Sequence, residues 1–341
     1  MISWASDDAY QAARRRAAFI NRSTRGRIIV SGRDRATYLQ GLLTNDITAL
    51  KPGEGCYAAY LTPQGRMIAD LFVYELGDLL LLDLPREVKD TVLAKLNQFI
   101  FTEDVQLGDV TETFAEIAIV GPEAARILAG VLDTSSRDAL AALPEHGNLR
   151  GQIGGQPAIV TRVTDTGEAG FGVYVEGPQA AALESKLRSA GAIELDAETA
   201  DAIRIEAGVP KFHRDMDEET IPLEAGIESR AISMTKGCYV GQEVIIRVLH
   251  RGHGRVAKKL VGVVLDGESV PSRDAAVRAG DRDIGRVTSS VRSPALNRPI
   301  ALAYLQRDFV APGTTVSVDG SRAVVTALPF VRSDAVKSYL A

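Results

Sequence analysis

Helical periodicity runs through most of this chain and then stops. Beyond about Lys259, the runs Leu260–Leu265, Ile284–Val291, Ile300–Leu305, Thr314–Val318 and Ala323–Ala327 are short and rich in β-branched residues, with Gly, Pro and Asp between them. Apolar spacing at i, i+3 and i+4 is nearly absent there, so no amphipathic helix is on hand to cover an open sheet. All-β segments manage their edges by closing them, and residues 256–341 therefore read as a small β-barrel.

Before that point the pattern alternates. Arg27–Ser31, Cys56–Leu61, Met67–Tyr74 and Leu79–Leu84 read as strands, with Leu39, Leu42 and Leu43 on one helix and Val88, Val92, Leu96 and Ile100 on another. A second unit begins near Phe114. It runs strand (Glu116–Val120), helix, strand (Gln156–Arg162), strand (Phe171–Val175), helix (Pro178–Ser189), an order that matches a split β-α-β, ferredoxin-like layout. The helix Ala197–Ala207 stops at Gly208 with Pro210 beyond it. The fold class expected is α+β in three domains: 1–112 plus 196–255, a ferredoxin-like 113–195, and the barrel 256–341. A chain of 341 residues is too long for one ordinary core, which agrees with this division.

Bulk properties narrow the function class. A formal net charge of −5 argues against direct nucleic-acid binding. Two cysteines, Cys56 and Cys238, far apart and outside any C-x-x-C pair, supply neither a zinc knuckle nor a four-cysteine cluster site, so no metal centre is expected. They fit a reducing compartment. No run approaches eighteen apolar residues, and Asp7 and Asp8 beside Arg14-Arg15-Arg16 speak against a transit peptide, so a cytoplasmic protein without a membrane span is expected.

The stretch Lys236-Gly237-Cys238-Tyr239-Val240-Gly241-Gln242-Glu243 concentrates chemistry in eight residues. Cys238 reads either as a working thiol, its thiolate favoured by Lys236 and downstream cations, or as a small buried residue. Gly237 and Gly241 permit close backbone approach, while Gln242 and Glu243 are polar anchors for the loop. Cys56, set among Tyr57, Ala58, Ala59 and Tyr60, reads as core filling. Arg247 to Lys259 holds seven cationic or histidine residues and no acid, which is either a polyanion-binding patch or a solvated linker.

K-G-C-Y-V-G-Q-E resembles the signature of YgfZ-type folate-binding proteins, relatives of the glycine-cleavage T-protein. Four further blocks resemble that wider family. They are Asn45-Asp46, the turn Thr166-Gly167-Glu168-Ala169-Gly170, the helix end Arg204-Ile205-Glu206-Ala207-Gly208, and Pro222-Leu223-Glu224-Ala225-Gly226. The resemblance implies a T-protein-like fold whose first domain binds tetrahydrofolate or a one-carbon-loaded derivative, with Glu168, Arg204, Asn45 and Tyr239 among the contacts. It also implies Cys238, assisted by Lys236, acting in iron–sulfur cluster assembly or repair with client or assembly proteins and no stably bound cluster. The family's link to tRNA modification then follows indirectly.

One departure separates the two branches. T-proteins carry an Asp-Asp pair whose first member is taken as catalytic, and Gly65-Arg66-Met67-Ile68-Ala69-Asp70-Leu71 has Ala69 there. On that count the aminomethyltransferase reading is the alternative, with Asp70 as its catalytic group.

Overall fold

The computed structural model describes residues 7–134, 137–251 and 254–332. His253 of the basic segment and the barrel unit's tail from 333 lie outside the described residues. Strands run in the order β1 (Ala18–Asn21), β2 (Gly26–Ser31), β3 (Gly55–Leu61), β4 (Met67–Glu75), β5 (Leu80–Leu84) and β6 (Gln106–Asp109). They continue with β7 (Phe114–Val120), β8 (Asn148–Ile153), β9 (Gln156–Val163), β10 (Gly170–Glu176) and β11 (Ile193–Glu194). Six more close the chain: β12 (Lys258–Leu265), β13 (Ala276–Ala279), β14 (Arg282–Ser293), β15 (Arg298–Gln306), β16 (Thr315–Val318) and β17 (Ser321–Thr326).

β2 to β6 form one sheet in the order β3-β4-β5-β2-β6. Its central β5 is buried at every position, as its leucine run requires. Along β4, Asp70, Phe72 and Tyr74 point one way and Ala69, Leu71 and Val73 the other, because side chains alternate along a strand. The even-numbered face meets the second sheet, where Tyr74 stands edge-on to Tyr174, centroids 6.4 Å apart.

The second sheet has the order β11-β1-β7-β10-β9-β8. Remove β1 and the ferredoxin-like layout remains. β1 is inserted between β7, to which it is antiparallel, and β11, to which it is parallel. β1 thus packs with the second unit, not with the sheet that follows it in sequence; Phe19 joins that unit's core.

β12 to β17 close into a six-stranded barrel, filled by Val263, Val277, Val287, Ala303 and Val325. The helix Ala197–Ala207 ties the barrel to the rest. Asp196 caps its start by accepting from the Thr199 N–H, and Gly208 ends it at φ +70°. From it Arg204 reaches Ser289 and Glu206 reaches Ser293, both on β14. No helix among the described residues is long and apolar enough to cross a membrane.

Candidate active site

A cavity of about 330 Å³ lies where the two sheets and the helix Ala197–Ala207 meet, with Tyr57, Asp70, Phe72, Arg204 and Arg230 in its wall. Tyr57 and Phe72 pair across β3 and β4, rings 5.3 Å apart. Arg230 lies over the Tyr57 ring at 5.2 Å and Arg25 over Phe72 at 5.6 Å. Two aromatic rings tilted by 42°, each with a cation over it, result.

Asp70 is the chemical centre of that wall. Its Oδ2 accepts from the Tyr57 hydroxyl at 2.8 Å. Its Oδ1 is buried and has no hydrogen-bond partner in any other described residue. Burial raises the pKa of Asp70 above the usual carboxylate range, against the pull of the Tyr57 hydrogen bond and of Arg25 and Arg230. A carboxylate with one oxygen held and the other without a hydrogen-bond partner suits the taking and returning of a proton.

Behind Phe72 lies His146, ring centroids 5.4 Å apart, its backbone at φ +62°. Burial, helped by Arg230, drives its imidazole down to about 4, so it stays neutral near pH 7. Arg22 pairs with Asp165 at 2.5 Å, both in the cavity wall, and Arg25 pairs with Asp83 in the seam between the sheets. Glu116 fills the space left by Gly172, and burial lifts it to about 8.

The residues expected from sequence are dispersed around this wall. Arg204 is in it, but its guanidinium is committed to Asp201, Asp215, the Val209 carbonyl and Ser289. Asn45 stands behind it and donates to the Tyr57 and Arg230 carbonyls at 2.8 and 3.0 Å. Lys236 Nζ donates to the carbonyls of Gln40, Leu43 and Asn45 at 2.7, 2.6 and 2.8 Å. Tyr239 is buried under that ammonium, 5.2 Å from ring centroid to Nζ.

Two of the residues expected at the site stand outside this wall. Glu168 does not line the cavity and is held by Arg14, which also grips Glu206. The turn instead offers Asp165 and Thr166 to the cavity. Cys238 is exposed and outside the cavity wall; of the loop's two glycines, Gly241 meets the sheet and Gly237 stands in open space. Gly241, at φ +85°, abuts the β3–β4 turn so closely that a Cβ would meet the Thr62 carbonyl at 2.6 Å. Gln242 and Glu243 open the short helix that follows it.

Ala69 also takes on a different meaning. It faces the core and is fully buried there, while its neighbour Asp70 faces the cavity. A carboxylate at position 69 would point away from any ligand in the cavity, so its absence removes nothing from the site. Tyr57, Phe72 and Arg230 were missed by sequence reasoning. The pairing of β3 with β4 held the signal for the first two, since Tyr57 falls opposite Phe72, two residues from Asp70.

Residues 3–236 match the GCVT N-terminal domain, and residues 258–332 match the glycine cleavage T-protein C-terminal barrel domain. An aminomethyltransferase of Streptomyces coelicolor is 32% identical over 336 residues, covering 95% of this chain and 89% of the relative. One from Rubrobacter xylanophilus is 34% identical over 296 residues, covering 87% and 78%. The solved structure of the glycine cleavage system aminomethyltransferase T from Bartonella henselae superposes with a TM-score of 0.85, at 24% identity, covering 95% of this chain and 89% of that one. These relatives overturn the reading as a YgfZ-type iron–sulfur support protein, which the eight-residue loop had carried: they are aminomethyltransferases over nearly the full chain. The chain belongs to the glycine cleavage T-protein family.

Proposed function

We propose that this protein is a folate-dependent one-carbon transferase that passes an aminomethyl or methyl-level unit to tetrahydrofolate in the cavity beside Asp70. The observation that carries the reading is Asp70 itself, hydrogen-bonded on one oxygen and without a partner on the other, in the wall of a cavity between domains. The family and the names of its relatives support it.

The cavity suits such a substrate chemically. Tyr57, Phe72 and Phe212 offer aromatic faces for a fused ring, and Lys211 offers a cation for a carboxylate tail. Tetrahydrofolate, when bound, supplies the amine nitrogens that accept the unit. Asp70 takes up the proton an attacking amine gives up, and its raised pKa poises it for that exchange. Tyr57 keeps the carboxylate aimed, and Arg230 favours the ionised form that accepts the proton.

Calorimetric titration of tetrahydrofolate into the wild type, Tyr57→Ala and Glu168→Gln tests the location. The wild type is expected to bind, Tyr57→Ala to lose about tenfold in affinity, corresponding to about 1.4 kcal/mol, and Glu168→Gln to bind as the wild type does. No binding by the wild type overturns the reading.

A further inference from the structure

The lysine of the K-G-C-Y-V-G-Q-E loop is absent from the cavity wall, yet it is among the most committed polar groups in the molecule. Its ammonium is buried and donates to three backbone carbonyls, those of Gln40, Leu43 and Asn45. Gln40 is the last residue of the helix Arg35–Gln40, whose end leaves carbonyls unpaired and carries partial negative charge. Lys236 thus gathers the loop from 40 to 45 around a single point.

That loop leads to the site. The side-chain amide of Asn45 donates to the carbonyls of both Tyr57 and Arg230. Next to it, the Thr44 hydroxyl accepts from the Ala59 N–H at 2.8 Å and donates to the Ala231 carbonyl at 2.6 Å. Two adjacent residues therefore stitch β3 to the segment bearing Arg230, and Lys236 fixes the backbone of one of them. The line of contacts runs Lys236, Asn45, Tyr57, Asp70, each link a hydrogen bond.

We propose that Lys236 is a positioning residue for the Asp70–Tyr57 pair. By holding the Asn45 carbonyl it sets the height of the Asn45 amide, and so where the Tyr57 hydroxyl meets Asp70 and where Arg230 lies over the ring. This rests on the transferase reading for its functional meaning, but the link itself is a property of the free protein. Misplacement of a catalytic group by even 1 Å costs about a hundredfold in rate, so a distant clamp of this kind has a measurable effect.

The test uses the full chain without ligand. The carboxyl band of Asp70, identified by its loss in Asp70→Asn, is titrated by infrared difference spectroscopy in the wild type and Lys236→Met. Loosening the Tyr57 hydrogen bond destabilises the ionised carboxylate, so the midpoint is expected to move up by about half a pH unit or more. Removing a positive charge also raises the midpoint directly. The same substitution is therefore repeated in a Tyr57→Phe background, where a shift transmitted through the hydroxyl disappears and a purely coulombic one persists.

A shift present in Lys236→Met and absent in the Tyr57→Phe background supports the proposal. An unchanged midpoint, or equal shifts in both backgrounds, overturns it. Should Lys236→Met fail to fold, Asn45→Ala cuts the same line one link on and is read in the same pair of backgrounds. With an active wild type, kcat for transfer is expected to fall about 10- to 100-fold in Lys236→Met while KM for tetrahydrofolate stays within about threefold. A wild type that binds no tetrahydrofolate sinks the transferase reading alone, and the infrared titration still decides the role of Lys236.

Discussion

The Tyr57 hydroxyl donates to Asp70 Oδ2 across 2.8 Å and leaves Oδ1 of the same carboxylate without a partner in any other described residue. Strand alternation brings this about: Tyr57 and Asp70 lie on paired strands with their side chains on one face, and Ala69 lies on the other. A buried, half-satisfied carboxylate is costly to the fold, which makes a use for it the natural inference.

Asp70→Asn is expected to lower transfer about 100-fold or more, the usual loss when a positioned acid–base group is removed. It is also expected to stabilise the fold at neutral pH. The folded-state pKa of Asp70 is raised above 3.8, so its contribution to stability is full below that value and is lost as pH rises through the raised pKa. The variant does not suffer that loss. Urea denaturation at several pH values should show its advantage growing from about pH 4 upward.

Tyr57→Phe removes the hydrogen bond that favours the ionised carboxylate. Its acid limb in a plot of kcat against pH is expected to move to higher pH, with about a tenfold loss of rate near neutrality. An acid limb that stays in place would separate Tyr57 from Asp70.

Cys238→Ala is expected to leave tetrahydrofolate affinity and turnover within about twofold of the wild type, because the thiol is exposed and outside the cavity wall. Calorimetry and steady-state kinetics check both quantities.

Arg14→Met is expected to destabilise by about 3–5 kcal/mol, since it leaves Glu168 and Glu206 buried together without their shared cation. The loss is read by urea denaturation of the variant beside the wild type.

Much of this architecture was legible in the chain. Loss of helical periodicity after Lys259 marked the barrel, and Gly208 marked the end of the helix Ala197–Ala207. The strand β1 was not legible, because Ala18–Asn21 is four residues long and gains its place only by fitting between β7 and β11. At the site, the family resemblance pointed to Asp70, Arg204, Asn45 and Glu168; Asp70 and Arg204 line the cavity, Asn45 stands behind it, and Glu168 is paired with Arg14, 154 positions away. Local motifs cannot report a partner that distant. The eight-residue loop misled for a related reason: Lys236 holds the backbone at Asn45 and Gly241 packs on the β3–β4 turn, and residue types alone do not distinguish a clamp from a reactive group.

The central claim is that Asp70 serves one-carbon transfer to tetrahydrofolate. The most direct measurement is tetrahydrofolate-dependent turnover of a methylamine-type donor by the wild type and Asp70→Asn, with folding of the variant verified by denaturation. Turnover by the wild type that requires tetrahydrofolate and falls about 100-fold or more in the variant is the expected result. Equal turnover by the two proteins, or none by a folded wild type that binds tetrahydrofolate, would contradict it.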